Sequence, residues 1–158
     1  MNNESIGIVR ITQHLVGALV LAVVFNAHAG YAAEKGRTGI MQTQNGPVKG
    51  LASEGVRRFL GIPFAAPPVA DLRWRPPQQP SKWNNPKDTV RFGNSCPQNQ
   101  PLAGFAAISD TEDCLFLNVF APEKTGKDLR PVMVWIYGGG YYAGRSDDYD
   151  GSKLVRQG

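Results

Sequence analysis

The chemistry available to this sequence gathers around Gly138-Gly139-Gly140. The three glycines follow the run Pro131-Val132-Met133-Val134-Trp135-Ile136-Tyr137 and lead into Tyr141, Tyr142, Ala143 and Gly144. Glycine has the most backbone freedom to lose on folding, so consecutive glycines fit best where the backbone must turn tightly or approach a ligand closely. A loop of this kind offers N–H groups unobstructed by side chains. Two uses fit: cradling a phosphate, or stabilising the oxyanion of a tetrahedral acyl-transfer intermediate. A phosphate-binding loop requires Lys-Ser/Thr after its glycines, where Tyr141-Tyr142 stand instead. A dinucleotide fingerprint requires Gly-x-Gly-x-x-Gly, and Gly138-x-Gly140 runs on to Ala143. The oxyanion use remains, although three glycines alone are a weak signal for it.

The other parts of an acyl-transfer centre are harder to find. A serine hydrolase of the α/β class needs Gly-x-Ser-x-Gly, then an acid, then a histidine, in that chain order. The nearest stretch, Gly144-Arg145-Ser146-Asp147-Asp148, lacks the final glycine, and the two histidines are His14 and His28, close to the N-terminus. Residues 30–158 therefore carry no imidazole to take a serine proton and cannot run a Ser-His-Asp mechanism by themselves. Cys96 and Cys114 are the two cysteines. In an exported chain such a pair forms a disulfide more readily than a metal site, and no other soft ligand accompanies it. Ser146, Asp148 and Asp150-Gly151 match a calcium loop at three positions. Ser in the first ligand position and Gln157 where Glu is expected argue against calcium. Tyr141 and Tyr142 either line a substrate entrance or pack on a sheet.

The elements that must hold these groups begin after a leader. Arg10 and His14 precede an apolar run, Leu15 to Phe25, and Ala27-His28-Ala29 follows. That run is short for a membrane span and suits a signal-peptide core, with cleavage after Ala29 or, second, Ala32. A buried helix or a membrane anchor is the alternative. Residues 30–39 read as a flexible leader. Ile40 to Thr43, Val48 to Ala52 and Val56 to Leu60 read as short strands of an antiparallel meander, with Asn45-Gly46 and Glu54-Gly55 as turns. From Gly61 to Pro86 the chain carries seven prolines, which exclude a helix and imply an ordered surface loop pinned by Phe64, Trp74 and Trp83. Asp113 to Phe120 reads as a strand. Pro131 to Ile136 reads as the most buried strand, because an unbroken apolar run indicates cover on both faces, as in the middle of a mainly parallel sheet. Asp150 is placed to cap a helix starting near Gly151 and running on through Ser152-Lys153-Leu154-Val155. Trp135 reads as core.

The fold class is thus α/β. Length gives about one domain, and 18 Gly with 12 Pro favour loops and short strands over a helical bundle. The net charge of +4 comes from basic residues scattered among prolines and aromatics, which argues against nucleic acid as a partner.

Four stretches together carry a resemblance to the type-B carboxylesterases, the carboxylesterase/cholinesterase family of the α/β-hydrolase superfamily. They are Phe59-Leu60-Gly61-Ile62-Pro63-Phe64-Ala65-Ala66-Pro67-Pro68, Leu72-Arg73-Trp74-Arg75-Pro76-Pro77, Glu112-Asp113-Cys114-Leu115-Phe116-Leu117-Asn118-Val119, and Pro131 through Gly144 with Tyr149-Asp150-Gly151. The resemblance spans about residues 40–158, in the family's order, and Glu-Asp-Cys-Leu is its most specific signature. It implies that this chain is the N-terminal portion of the family's domain, ending ahead of the nucleophile elbow, and that it contributes the oxyanion-hole N–H groups of Gly139 and Gly140. The family commonly has His before the glycines; Tyr137 stands here, as Tyr does in cholinesterases. The resemblance further implies a Cys96–Cys114 disulfide, a structural ion pair between Arg73 and Glu112, and an aromatic at Tyr141 or Tyr142 facing substrate. An ordinary solvated charge is the alternative for Arg73. The implied activity is hydrolysis of small-molecule carboxylic esters through an acyl-serine intermediate. No cofactor and no metal are implied, and the leader points to export, periplasmic or secreted, without stable membrane insertion. A catalytically inactive relative serving as a binding or adhesion module is the rival reading.

Overall fold

A computed structural model describes residues 36–99, 105, 108–124, 126 and 129–158; the leader as far as residue 35 lies outside them. The last residues of the leader, expected to be flexible, are held, with Arg37 bridged to Leu51 and Thr38 buried and bonded to Gly50. The element that organises the rest is an eight-residue strand, β4 (Val56–Pro63). It is preceded by β1 (Met41–Gln42), β2 (Pro47–Lys49) and β3 (Leu51–Ser53), and followed by β5 (Lys87–Asp88), β6 (Phe116–Pro122) and a short helix, α1 (Ser152–Gln157). The strands form two three-stranded sheets, ordered β1-β2-β5 and β3-β4-β6.

Local sequence explains the first half. Between β3 and β4, Glu54 and Gly55 both have positive φ, 53° and 76°. That is the two-residue turn whose twist matches antiparallel strands, and the register follows as Leu51↔Arg58 and Ser53↔Val56. Between β1 and β2, Thr43 and Gly46 exchange backbone hydrogen bonds of 3.1 and 3.3 Å. Trp83 then fastens the proline-rich segment to this hairpin. Its N–H bonds to the Asn45 carbonyl at 2.9 Å, and its indole Nε1 donates to the Pro47 carbonyl at 2.7 Å.

The two sheets meet at Lys87 to Val90. β5 pairs in parallel with β2, Thr89 N–H donates to Lys49 O, and Leu60 N–H donates to Thr89 O, both at 2.9 Å. Thr89 is completely buried, and its hydroxyl also donates to Lys49 O. The buried apolar side chains among the described residues are Val48, Val56, Phe59, Leu60, Ala65 and Ala143. Val48, Val56, Phe59 and Leu60 each contribute about 1.5–3 kcal/mol when taken from water.

β4 and β6 pair antiparallel from Val56↔Pro122 to Phe59↔Val119, and again from Ile62↔Leu117 to Pro63↔Phe116. The break is a β-bulge. Gly61 sits in it at φ 69°, and a Cβ there would lie 2.7 Å from the Arg91 carbonyl oxygen, so glycine is required on both counts. Its N–H is taken by the Asn118 side chain, Oδ1, at 2.9 Å.

Several expectations need correction. The strand expected from Asp113 begins at Phe116 and runs to Pro122. Residues 131–136, expected as a buried central strand, form no strand and pair with nothing among the described residues, and Val132, Val134 and Ile136 are exposed at 88%, 80% and 86%. Hydrophobicity marks a run that wants burial, yet a strand exists only beside a partner, and none lies alongside among the described residues. Trp135 is accordingly exposed rather than core, touching Tyr149 at a ring-centroid distance of 5.6 Å. Trp74 pins nothing, being fully exposed. At the C-terminal side, Asp150 Oδ1 accepts the Ser152 N–H at 2.9 Å, and Gly151 lies against the Phe120 ring, docking α1 on β6.

Candidate functional site

The glycine stretch closes into a compact turn. Tyr142 N–H and Ala143 N–H both donate to the Gly139 carbonyl, at 2.9 and 3.2 Å. The turn is possible because of φ values of 143° at Gly139 and 62° at Gly140. At Gly139 the requirement is absolute: a Cβ would stand 1.6 Å from the Ala143 carbonyl oxygen. At Gly140 a Cβ would meet nothing within 4 Å, so only the left-handed backbone favours glycine there. Tyr141 shares that conformation, at φ 61°. The turn thus carries two successive backbone donors, the N–H groups of Gly139 and Gly140, without an acceptor among the described residues. Tyr141 is fully exposed and Tyr142 half-exposed beside it.

Two side-chain amides fix the arm that leaves the turn. Gly144 N–H donates to Gln98 Oε1 at 2.8 Å, and Gln98 Nε2 donates to the Gly144 carbonyl at 3.3 Å. Asn118 Nδ2 donates to Ser146 Oγ at 3.0 Å, while the same side chain's oxygen holds the β4 bulge. Next to Ser146, Arg145 Nε lies 3.1 and 3.0 Å from Asp147 and Asp148. Bonding to Asp148 first, then the charge of Asp147, raises the Arg145 pKa above its ordinary value. These carboxylates are thereby engaged with an internal cation. Among the described residues no group of acidic, His or Cys side chains is arranged to hold a metal.

Gln98 is itself held. Its backbone exchanges hydrogen bonds with Ser109, 2.8 and 3.0 Å, and Ser109 Oγ donates to Ser95 O at 2.7 Å. Two residues before it, Cys96 is bridged to Cys114 by a disulfide with Cα atoms 4.9 Å apart. Arg73 and Glu112 meet as a bidentate pair, Nε to Oε1 and Nη2 to Oε2. This joins the proline-rich loop to the segment entering β6. Hydrogen bonding from Arg73 holds the Glu112 carboxyl below its usual range, against a smaller opposing desolvation effect. Ser152, whose backbone N–H donates to Asp150 Oδ1 at 2.9 Å, likewise holds the Asp150 carboxyl below its usual range.

The sequence-stretch residues therefore fall into two places. Gly139, Gly140, Tyr141 and Tyr142 share one turn. Cys96–Cys114 and Arg73–Glu112 brace the segments around it. Gln98 and Asn118 were not anticipated as site residues, although a polar Asn inside the apolar Leu115 to Phe120 was a visible anomaly. Gln98, two positions from Cys96, carried no such signal.

The sequence pattern of the Carboxylesterase family matches residues 37–158. The chain is 48% identical over 122 residues to a fumonisin B1 esterase from Sphingopyxis macrogoltabida, an alignment covering 75% of this chain and 22% of that protein. It is 44% identical over 124 residues to a para-nitrobenzyl esterase from Bacillus subtilis strain 168, covering 75% and 25%. A solved PNB esterase structure superposes with a TM-score of 0.68 at 43% identity, over 75% of this chain and 25% of that one. The chain thus spans about a quarter of the length of the relatives it matches. It has the architecture of the opening part of an α/β-hydrolase domain. With the pattern matched from residue 37 through residue 158, this chain belongs to the carboxylesterase family.

Proposed function

We propose that this chain is the N-terminal part of an exported serine carboxylesterase and supplies its oxyanion loop. The nucleophilic serine, the acid and the histidine are contributed by sequence beyond Gly158. A small-molecule carboxylic ester is attacked by the serine, and the carbonyl oxygen gains negative charge as the tetrahedral intermediate forms. The N–H groups of Gly139 and Gly140 donate to that oxygen, and Tyr141 and Tyr142 flank the approach of substrate. No cofactor enters this chemistry. Export through residues 1–29 suits the disulfide, which persists in an oxidising compartment.

One observation carries the reading: two adjacent backbone donors are without an acceptor among the described residues, in a turn that excludes any side chain at Gly139. Donors fixed before the reaction stabilise developing charge without reorganising, and losing one costs about 2.7–4 kcal/mol in a well-studied hydrolase. The test is expression of the reading frame continued past Gly158. That protein should hydrolyse p-nitrophenyl acetate and lose activity on stoichiometric reaction with an organophosphate, whereas residues 30–158 alone should show no turnover. Organophosphate-sensitive turnover by residues 30–158 alone, or no esterase activity in the complete protein, would sink the proposal.

A further inference from the structure

We infer that Gln98 is a positioning residue for the oxyanion loop, its carboxamide setting where the N–H groups of Gly139 and Gly140 lie. The inference rests on the oxyanion reading above and names a residue outside the glycine stretch on which that reading depends.

The residue that Gln98 holds is Gly144. Both of its backbone groups are bound by one side-chain amide, N–H to Oε1 at 2.8 Å and carbonyl to Nε2 at 3.3 Å. The carboxamide acts here as the peptide group of a neighbouring strand would, fixing the orientation of this peptide as well as its distance. Gly144 is packed directly against the start of the glycine stretch. A Cβ on it would lie 2.7 Å from the Gly138 carbonyl oxygen and 3.0 Å from the Tyr137 ring. The preceding residue, Ala143, presses its carbonyl onto Gly139 and donates its N–H to the Gly139 carbonyl. A displacement of Gly144 is therefore passed to Gly139 through Ala143, which is bonded to the Gly139 carbonyl.

The other end of the clamp is anchored. Gln98 pairs with Ser109 through both backbone groups, and Cys96–Cys114 closes the same segment two residues away. The chain between Ile136 and Gly144 has no strand pairing of its own among the described residues. Its own hydrogen bonds to the Gly139 carbonyl close the turn, and Gln98 ties that turn to the disulfide segment. A purely structural role would make Gln98 a contributor to stability alone. A positioning role makes it a contributor to kcat, since catalytic donors misplaced by about 1 Å lose on the order of a hundredfold in rate.

The experiment compares Gln98→Ala, Gln98→Glu and Gly139→Ala in the complete enzyme. It measures p-nitrophenyl acetate kinetics, inhibition by a trifluoromethyl ketone, and thermal melting. Gln98→Glu keeps an acceptor for the Gly144 N–H but sets a second oxygen against the Gly144 carbonyl, so half of the clamp is lost. The expected result is a fall in kcat of about 10- to 100-fold for Gln98→Ala, with KM little changed. Affinity for the ketone should fall in step with kcat/KM, and Gln98→Glu should lie between Gln98→Ala and wild type. Wild-type kcat and ketone affinity in a folded Gln98 variant would overturn the inference, even if its melting temperature drops. If Gln98→Ala does not fold, Gln98→Glu decides. If neither folds, Gln98 is a determinant of folding and the positioning role falls. Gly139→Ala separates the two claims. A lowered kcat there with intact Gln98 variants removes the clamp alone, and an unchanged kcat at Gly139→Ala removes the oxyanion reading with it.

Discussion

Gly139 and Gly140 are adjacent and chemically identical, yet an added methyl should have very different consequences at the two. At Gly139 the new Cβ would be 1.6 Å from the Ala143 carbonyl oxygen and 2.8 Å from its carbon, with φ at 143°. That carbonyl must retreat by about 1 Å or more before the contact is tolerable, enough on its own to cost on the order of a hundredfold in a positioned reaction. The retreat also strains the bonds that Tyr142 and Ala143 make to the Gly139 carbonyl, so the Gly139 donor itself swings away. Losing one oxyanion donor is worth about 2.7–4 kcal/mol, or 10²–10³ in kcat. At Gly140 the added methyl meets nothing within 4 Å, and only the left-handed backbone opposes it, at about 1–2 kcal/mol. That strain is felt in stability, and the Gly140 N–H stays where it was. In the complete enzyme, titrated with an organophosphate to count competent sites, Gly139→Ala should lose 10²- to 10³-fold in kcat with KM nearly unchanged. Gly140→Ala should lose less than about tenfold. Equal losses at the two positions, or an effect of Gly139→Ala confined to KM, would refute the reasoning from loop geometry to transition-state stabilisation.

Two further outcomes concern the brace around the loop. Replacing Cys96 and Cys114 by serine opens a loop closed across a separation of 18 residues, which chain entropy values at about 3 kcal/mol. Urea unfolding of the complete enzyme should show a loss of that order, and no change would mean that the bridge constrains little. The lowered pKa of Asp150 means that its bond to Ser152 stabilises the fold fully above about pH 3.9, the ordinary Asp value. The contribution disappears as pH falls through the lower folded value. Asp150→Asn keeps an acceptor but cannot titrate, so its melting temperature should fall less steeply below pH 4 than wild type, and parallel acid limbs would refute the assignment.

What could be read from the sequence was mainly what is decided locally. Glu54-Gly55 and Asn45-Gly46 announce turns because few residue types accept their backbone geometry, and the strands on either side follow. The seven prolines keep residues 61–86 free of an α-helix, although a three-residue 3-10 turn forms at Ala70–Leu72. Asp150 lies next to the N–H it serves. The misreadings are non-local. Residues 131–136 have the composition of a central strand, but pairing depends on what lies alongside, and composition does not contain that. Trp74 has the bulk of an anchor and yet stands in solvent. Gln98 reaches Gly144 across 46 residues and Asn118 reaches Ser146 across 28. No periodicity links such positions, so the clamps became visible only in three dimensions. The two cysteines left one possible bridge, and the resemblance to carboxylesterases supplied the long-range pair Arg73–Glu112, which spacing alone does not reveal.

The exposed run Val132 to Ile136 also bears on how the protein is made. Five apolar, strand-prone residues with open backbone edges are a template for pairing with another copy of themselves. The hazard lasts for as long as the run stands without a neighbouring strand, and synthesis proceeds at only about 5–20 residues per second. The flanking residues limit it. Arg130 adds charge immediately upstream, Pro131 withholds an N–H from any intruding ladder, and Gly138 to Gly140 end the strand-forming stretch abruptly downstream. Gatekeepers of this kind shorten the sticky window of a nascent chain. The glycines of the turn would, on that account, also guard the unfinished protein against self-association.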